Sequence, residues 1–140
     1  MSLPDHLALE IVTPTGALVS DRVDEVQIPG EEGSFGVLPG HTPLLATLEV
    51  GELWYRRGQE MSYVALSFGF AEVLPDRVTI LAQIAESAED IDVSRAESAE
   101  KRAEERLQRS VADMDIERAR LAMLKSLIRL RVASRARSRG

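Results

Sequence analysis

The chain has 140 residues, 44% of them hydrophobic, a net charge of −6 and no cysteine. That is enough for one domain or two small ones; it excludes disulfide and thiol chemistry, and no run approaches the roughly 18 apolar residues of a membrane span. The opening MSLPDHLALEIV has neither the basic start nor the apolar centre of a secretory signal, so a soluble intracellular protein is expected.

Residues 1–85 carry the marks of short strands. Leu7, Leu9 and Ile11 alternate with Ala8 and Glu10, and Val26 and Ile28 flank Gln27. ELWYRR and MSYVALSFGFAEVL are rich in β-branched and aromatic residues, and RVTILAQIAE places Val78, Ile80, Ala82 and Ile84 on one face. The turn signals TPTG, PGEEG, LPGHTP, RRGQ and LPDR recur between these runs. Short strands at that spacing indicate a β-sandwich or barrel.

Residues 30–45, GEEGSFGVLPGHTPLL, hold Gly30, Gly33, Gly36 and Gly40 beside Pro39, Pro43 and His41. No lysine precedes Lys101, so this is no phosphate loop. His6 and His41 are the only histidines, too few for a metal centre, and no metal is expected. A rigid, turn-rich surface loop remains, better suited to shape recognition than to catalysis.

From Asp92 the pattern changes. No Gly or Pro occurs between Asp76 and Gly140. Asp92 is a suitable N-cap for a first helix with an apolar stripe of Val93, Ala96, Ala99, Ala103 and Leu107. SVADMD offers a turn, and Asp115 can cap a second helix running to about residue 136. Its stripe is Ile116, Ala119, Met123, Leu127 and Leu130, flanked by Leu121, Leu124 and Ile128. An antiparallel helical hairpin is expected. Its alanine stripe buries little surface, so it should dock weakly and serve as a movable arm. The predicted units are residues 1–88 and 89–140. The first 90 residues carry 4 basic and 15 acidic side chains, net −11; the last 50 carry 13 basic and 8 acidic, net +5.

This order of motifs resembles the epsilon subunit of F-type ATP synthase over essentially the whole chain. PGEEGSFGVLPGHTPLLATL (29–48) is similar to the family's loop, SFGFAEVLPDRVTILAQIAE (67–86) to its last strand pair, IDVSRA (91–96) to the motif that opens its hairpin, and DMDIERARLAMLKSLIRLRVA (113–133) to its second helix. The resemblance implies a noncatalytic rotor subunit, with no required cofactor, peripheral on the cytoplasmic face of the membrane. Its sandwich would sit beside the gamma subunit and on the c-ring, with Glu31, Glu32, His41, Pro43 and Leu44 at that interface. Its helices would fold down on the sandwich or extend toward the catalytic beta and alpha subunits and inhibit ATP hydrolysis. Where many relatives carry an acid after the loop's second glycine, this chain has Ser34, which leaves Glu31 and Glu32 to meet any base on the ring.

In some relatives the IDxxRA motif binds ATP without hydrolysing it. The corresponding residues are Glu86, Ile91, Asp92, Arg95, Ala96, Arg102, Lys125 and Arg129. Arginines from two helices can jointly neutralise a triphosphate, whereas Lys125 lacks the bidentate fork of Arg. Asp92 could equally be a plain helix cap. The run Arg129, Arg131, Arg135, Arg137 and Arg139 has no acid after Glu117. It complements its own helix dipole, and by resemblance Arg129, Arg131 and Arg135 would grip an acidic segment of the beta subunits. A nucleic-acid module is disfavoured because residues 1–90 would repel phosphate. An enzyme built on Glu31, Glu32 and His41 lacks a nucleophile. A helical-hairpin adaptor is the remaining alternative.

Overall fold

A computed structural model describes residues 3–109 and 113–139. Eight strands come first: β1 (Leu7–Thr13), β2 (Gly16–Val23), β3 (Glu25–Gly30), β4 (Gly33–Val37), β5 (Leu44–Leu48), β6 (Gly51–Arg57), β7 (Glu60–Leu74) and β8 (Arg77–Ser87). A short 3-10 turn, Ala88–Asp90, leads into α1 (Val93–Arg109) and α2 (Asp113–Arg139). This is the expected β-sandwich followed by two helices.

The strands pair in the order β2-β1-β8-β7-β5-β3-β4, and β6 joins β3 to β7. Neighbours run antiparallel except β1 and β8, which are parallel from Ala8↔Arg77 to Val12↔Leu81. Strand alternation sends one side chain in two inward. Leu7, Leu9, Ile11, Val26, Ile28, Leu48, Leu53, Val64, Leu66, Val73, Val78 and Ile80 meet in one core. Asp24 ties the bottom of the sheet together. It accepts the Gly58 N–H at 2.6 Å, and its Oδ1 lies 3.0 Å from His6 Nδ1. The Gly58 hydrogen bond, then His6 and Arg56, hold its carboxyl below the ordinary value.

The helices have a second, separate cluster. Ala65, Ala88, Ile91, Ile128, Val132 and Ala133 form it, with Tyr63 and Val93 at its margin. α2 lies on β6, β7 and the 3-10 turn, whereas α1 packs along α2. Ala96 and Ala103 are the buried residues of α1, so alanine does form its contact face.

Four expectations need correction. Residues 30–45 are not one loop, because 33–37 form a strand that pairs with β3; only Gly33 and Gly40 of its four glycines take positive φ. α2 begins at Asp113, so Asp115 lies inside the helix; residues 110–112 of the expected turn fall outside the described residues. The α2 stripe is displaced. Leu124 and Leu127 are exposed, and the buried residues are Ala119, Ser126, Ile128, Val132 and Ala133. Two partners on different sides, α1 and the sheet, spread the buried arc beyond a single stripe. Ile84 is 48% exposed rather than inward. Inward parity in β7 changes between Leu66 and Ala71. Between them lie Phe68, at φ 59, and Gly69, at φ 145, and β8 follows the same switch through its register.

Gly69 marks that switch sterically. A Cβ there would lie 2.0 Å from the Leu81 carbonyl oxygen, and its φ disfavours any L side chain. Gly69→Ala is therefore expected to destabilise the fold by more than about 2 kcal/mol. Urea unfolding checks this, and an unchanged midpoint would mean the strand pair relaxes freely.

Candidate functional site

Three surfaces carry the functional candidates. The first is the β3–β4 hairpin with the start of β5. Glu31 and Glu32 are exposed at the hairpin tip. With Phe35, Leu44 and Leu45 they border a groove of about 490 Å³. Pro43 and Leu44 are exposed, while His41 is half-buried and donates from Nδ1 to the Thr42 carbonyl at 2.6 Å. His41 thus serves its own loop in this structure. The acids, Pro43 and Leu44 remain available for contact.

The second surface escaped the sequence reading. β7 and β8 share an outer face. Its first half, at Ala65 and Ser67, is buried and lies where α2 packs on β7. Its second half is bare: Phe70 is 62% exposed and Leu81, directly opposite, 53%. Leu45 on the neighbouring β5 is 77% exposed. Contiguous apolar exposure of this kind marks an interaction site. The signal was present in the alternation, since Phe70 and Leu81 have the opposite parity to the buried Ala71, Val73, Val78 and Ile80.

The third surface is a cleft of about 450 Å³ between the sheet and both helices. Glu86 and Ile84 line it from β8, Arg95 and Ala99 from α1, and Lys125, Ser126 and Arg129 from α2. Arg129 donates from Nε and Nη2 to the two Glu86 oxygens at 2.6 and 3.1 Å. The Lys125 ammonium sits 5.6 Å from the Phe68 ring centre, within cation–π range. Four of the eight motif residues are brought together: Glu86, Arg95, Lys125 and Arg129. Arg102 is not among them. Seven residues beyond Arg95, it lies about 10 Å up the helix and borders a recess with Arg106, Arg109 and Arg118. Ile91 and Ala96 are buried and pack rather than face the cleft. Asp92 caps α1, accepting the Arg95 N–H at 3.1 Å through Oδ1.

The basic end of α2 is held down. Besides Arg129, Arg135 donates from Nε and Nη2 to Glu52 of β6 at 3.1 and 3.3 Å. Its guanidinium lies 5.3 Å from the Tyr63 ring centre. Glu52, through hydrogen bonds and then charge, raises the Arg135 pKa above its ordinary value. Arg131 is exposed, and the side chains of Arg137 and Arg139 lie outside the described residues. Among the described residues no group of three or more His, Asp or Glu is placed to hold a metal. No helix among them is long and apolar enough to cross a membrane.

Family models for the ATP synthase delta/epsilon chain match in sequence, the β-sandwich domain over residues 6–88 and the long α-helix domain over 89–134. The ATP synthase epsilon chain of Syntrophobacter fumaroxidans is 50% identical over 133 residues, 95% of this chain and 99% of that one. The chain belongs to the ATP synthase epsilon chain family. The epsilon chain of Koribacter versatilis is 54% identical over 108 residues, 77% of this chain and 76% of that one. A chain in the Euglena gracilis mitochondrial ATP synthase structure shares the fold, with a TM-score of 0.79, 24% identity, and coverage of 89% of this chain and 79% of that one. A chain in the Tetrahymena thermophila central stalk and c-ring structure does so at a TM-score of 0.59 and 14% identity, over 95% and 98% of the two chains.

In this epsilon chain the IDVSRA segment plainly has one structural task, the start of α1. Asp92→Ala removes the cap and should cost about 1 kcal/mol. The loss should appear as faster amide exchange in the first turn of α1 and a lower melting temperature. Unchanged exchange at Arg95 and Ala96 would mean that the turn is held by packing alone.

Proposed function

We propose that this epsilon chain is a noncatalytic central-stalk subunit, peripheral on the cytoplasmic face of the membrane, whose sandwich docks on the gamma subunit and c-ring. In this reading its helical arm lifts from the sandwich to inhibit ATP hydrolysis. The bare apolar half of the β7–β8 outer face is the observation that carries it. Phe70, Leu81 and Leu45 stand on the sheet and are more than half exposed among the described residues. Large exposed apolar side chains of this kind are anchors at protein interfaces. The apolar face suits gamma, and the acidic β3–β4 tip suits basic groups of the c-ring. Inhibition fits the second cluster, which is small, rich in alanine and separate from the sandwich core. A lifted α2, 27 residues long, would span about 40 Å at 1.5 Å per residue.

The test is binding to purified gamma. Phe70→Ser with Leu81→Ser should weaken it at least about tenfold, roughly 1.4 kcal/mol, while the melting temperature stays near wild type because both sites are exposed. His41→Ala with Leu44→Ser tests the loop in parallel. Wild-type affinity in both double variants would remove the sandwich from the interface.

A second reading concerns ATP as a regulatory ligand, favoured by the convergence of Arg95, Lys125 and Arg129 on one cleft. A triphosphate held in the cleft between the sheet and both helices is a ligand only of the folded-down arm and would favour that state by differential affinity. It must also compete with Glu86 for Arg129. Arg95→Ala should reduce affinity at least about tenfold. Calorimetry at millimolar ATP decides: no heat with the native chain leaves Asp92 a helix cap and the cleft a gap between elements.

A further inference from the structure

Two of the three arginines that would reach an acidic partner, Arg129 and Arg135, are already engaged by acids of the same chain. Arg129 is bidentate on Glu86, and Arg135 is bidentate on Glu52. Arg131 borders a recess of about 510 Å³ with Glu31, Glu49 and Glu52. The sheet under α2 thus presents carboxylates along the line of its basic residues. We infer that Glu52 is a latch for the arm: it pins the C-terminal part of α2 to β6 and withholds Arg135 from any other acidic surface. The inference rests on the arm-lifting reading above.

Geometry makes this contact decisive for docking. Arg129 and Arg135 are six residues apart, about 9 Å along the helix. One grip alone would leave α2 free to pivot; two fix its direction. The apolar cluster between them is thin. Ala65, Ala88 and Ala133 are three of its six buried members, and an alanine buries only a methyl group. Glu52 itself is well placed. It sits on β6 opposite Ala65, two pairs from Trp54↔Tyr63 and so on the same face, and its carboxylate rises on the helix side of the sheet. The Tyr63 ring covers the guanidinium from a second direction. Exposed ion pairs contribute little singly, but a bidentate arginine–carboxylate pair fixes geometry as well as charge. A carboxylate that already holds both Nε and Nη2 excludes a second acid from the same fork. Docking and outside contact by Arg135 are then alternatives.

The absence of native cysteine allows two spin labels, at Ser20→Cys on β2 and Leu124→Cys on α2, both exposed positions. Dipolar distance measurements on the isolated full chain then give the undocked-to-docked ratio. Glu52→Gln should raise that ratio about threefold to tenfold at low salt, and reduce its dependence on salt. Arg135→Gln, on an exposed helical position, should do the same without touching the sheet. Glu52→Arg combined with Arg135→Glu should restore docking. An unchanged ratio in both single variants, or failure of the charge swap to restore it, would overturn the latch. ATP hydrolysis by reconstituted complexes is measured separately. A shifted ratio with unchanged hydrolysis would keep the latch and overturn the inhibitory role of the arm.

Discussion

Strand β7 is buried on both faces along one stretch, and the architecture depends on it. Val64 and Leu66 point into the sandwich, and the intervening Ala65 and Ser67 are buried as well, on the side where α2 packs on this strand. The two faces have different chemistry. The inner face uses large aliphatic residues and closes a core. The outer face uses a small residue, Ala65, flanked by Tyr63 and Ser67, and admits a helix close to the sheet. A strand of 15 residues would present one continuous outer surface if it ran regularly. Phe68 and Gly69 interrupt it, so the covered half and the bare half of the outer face meet at a change of parity.

Charge then divides the work between the two units. The sandwich is acidic and the helices are basic, and the contact between them joins Glu52 and Glu86 to Arg135 and Arg129. Apolar burial there is modest, so direction comes from the ion pairs and closeness from the alanines. A helix held in this way keeps its shape when it leaves, because its own hydrogen bonds and its packing on α1 owe nothing to the sheet. The arm and the sandwich are therefore separable in physical terms while they stay joined through the 3-10 turn.

Much of this was legible in the sequence. Alternation at Leu7, Leu9 and Ile11 and at Val78 and Ile80 gave the inner face, because a half-buried strand has a period of two. The loss of Gly and Pro after Asp76 and the cap at Asp92 gave the start of the hairpin. Three things were hidden. The parity change at Phe68 depends on a positive φ at a residue other than glycine, which composition does not announce. The α2 face was misassigned because a helix contacted from two sides has no single apolar stripe. The partners of Arg129 and Arg135 lie 43 and 83 residues away in the chain, and no local pattern links them. Of the cleft residues, Glu86, Arg95, Lys125 and Arg129 were grouped by resemblance to a known motif, and Arg102 failed to join them because helical rise carries it two turns past the others.

The parallel pairing of β1 with β8 has a consequence for synthesis. Ala8 meets Arg77, so the first strand waits for the last, and the ribosome must deliver almost the whole sandwich before the sheet closes. Non-local pairing of this kind makes for slow folding, and chains emerge N-terminus first. The helices arrive only after that closure becomes possible. A nascent chain that closes its sheet before α2 emerges would leave Tyr63, Ala65 and Ser67 of the outer face without their helix. α2 leaves the ribosome after every strand of the sandwich whose outer face it covers.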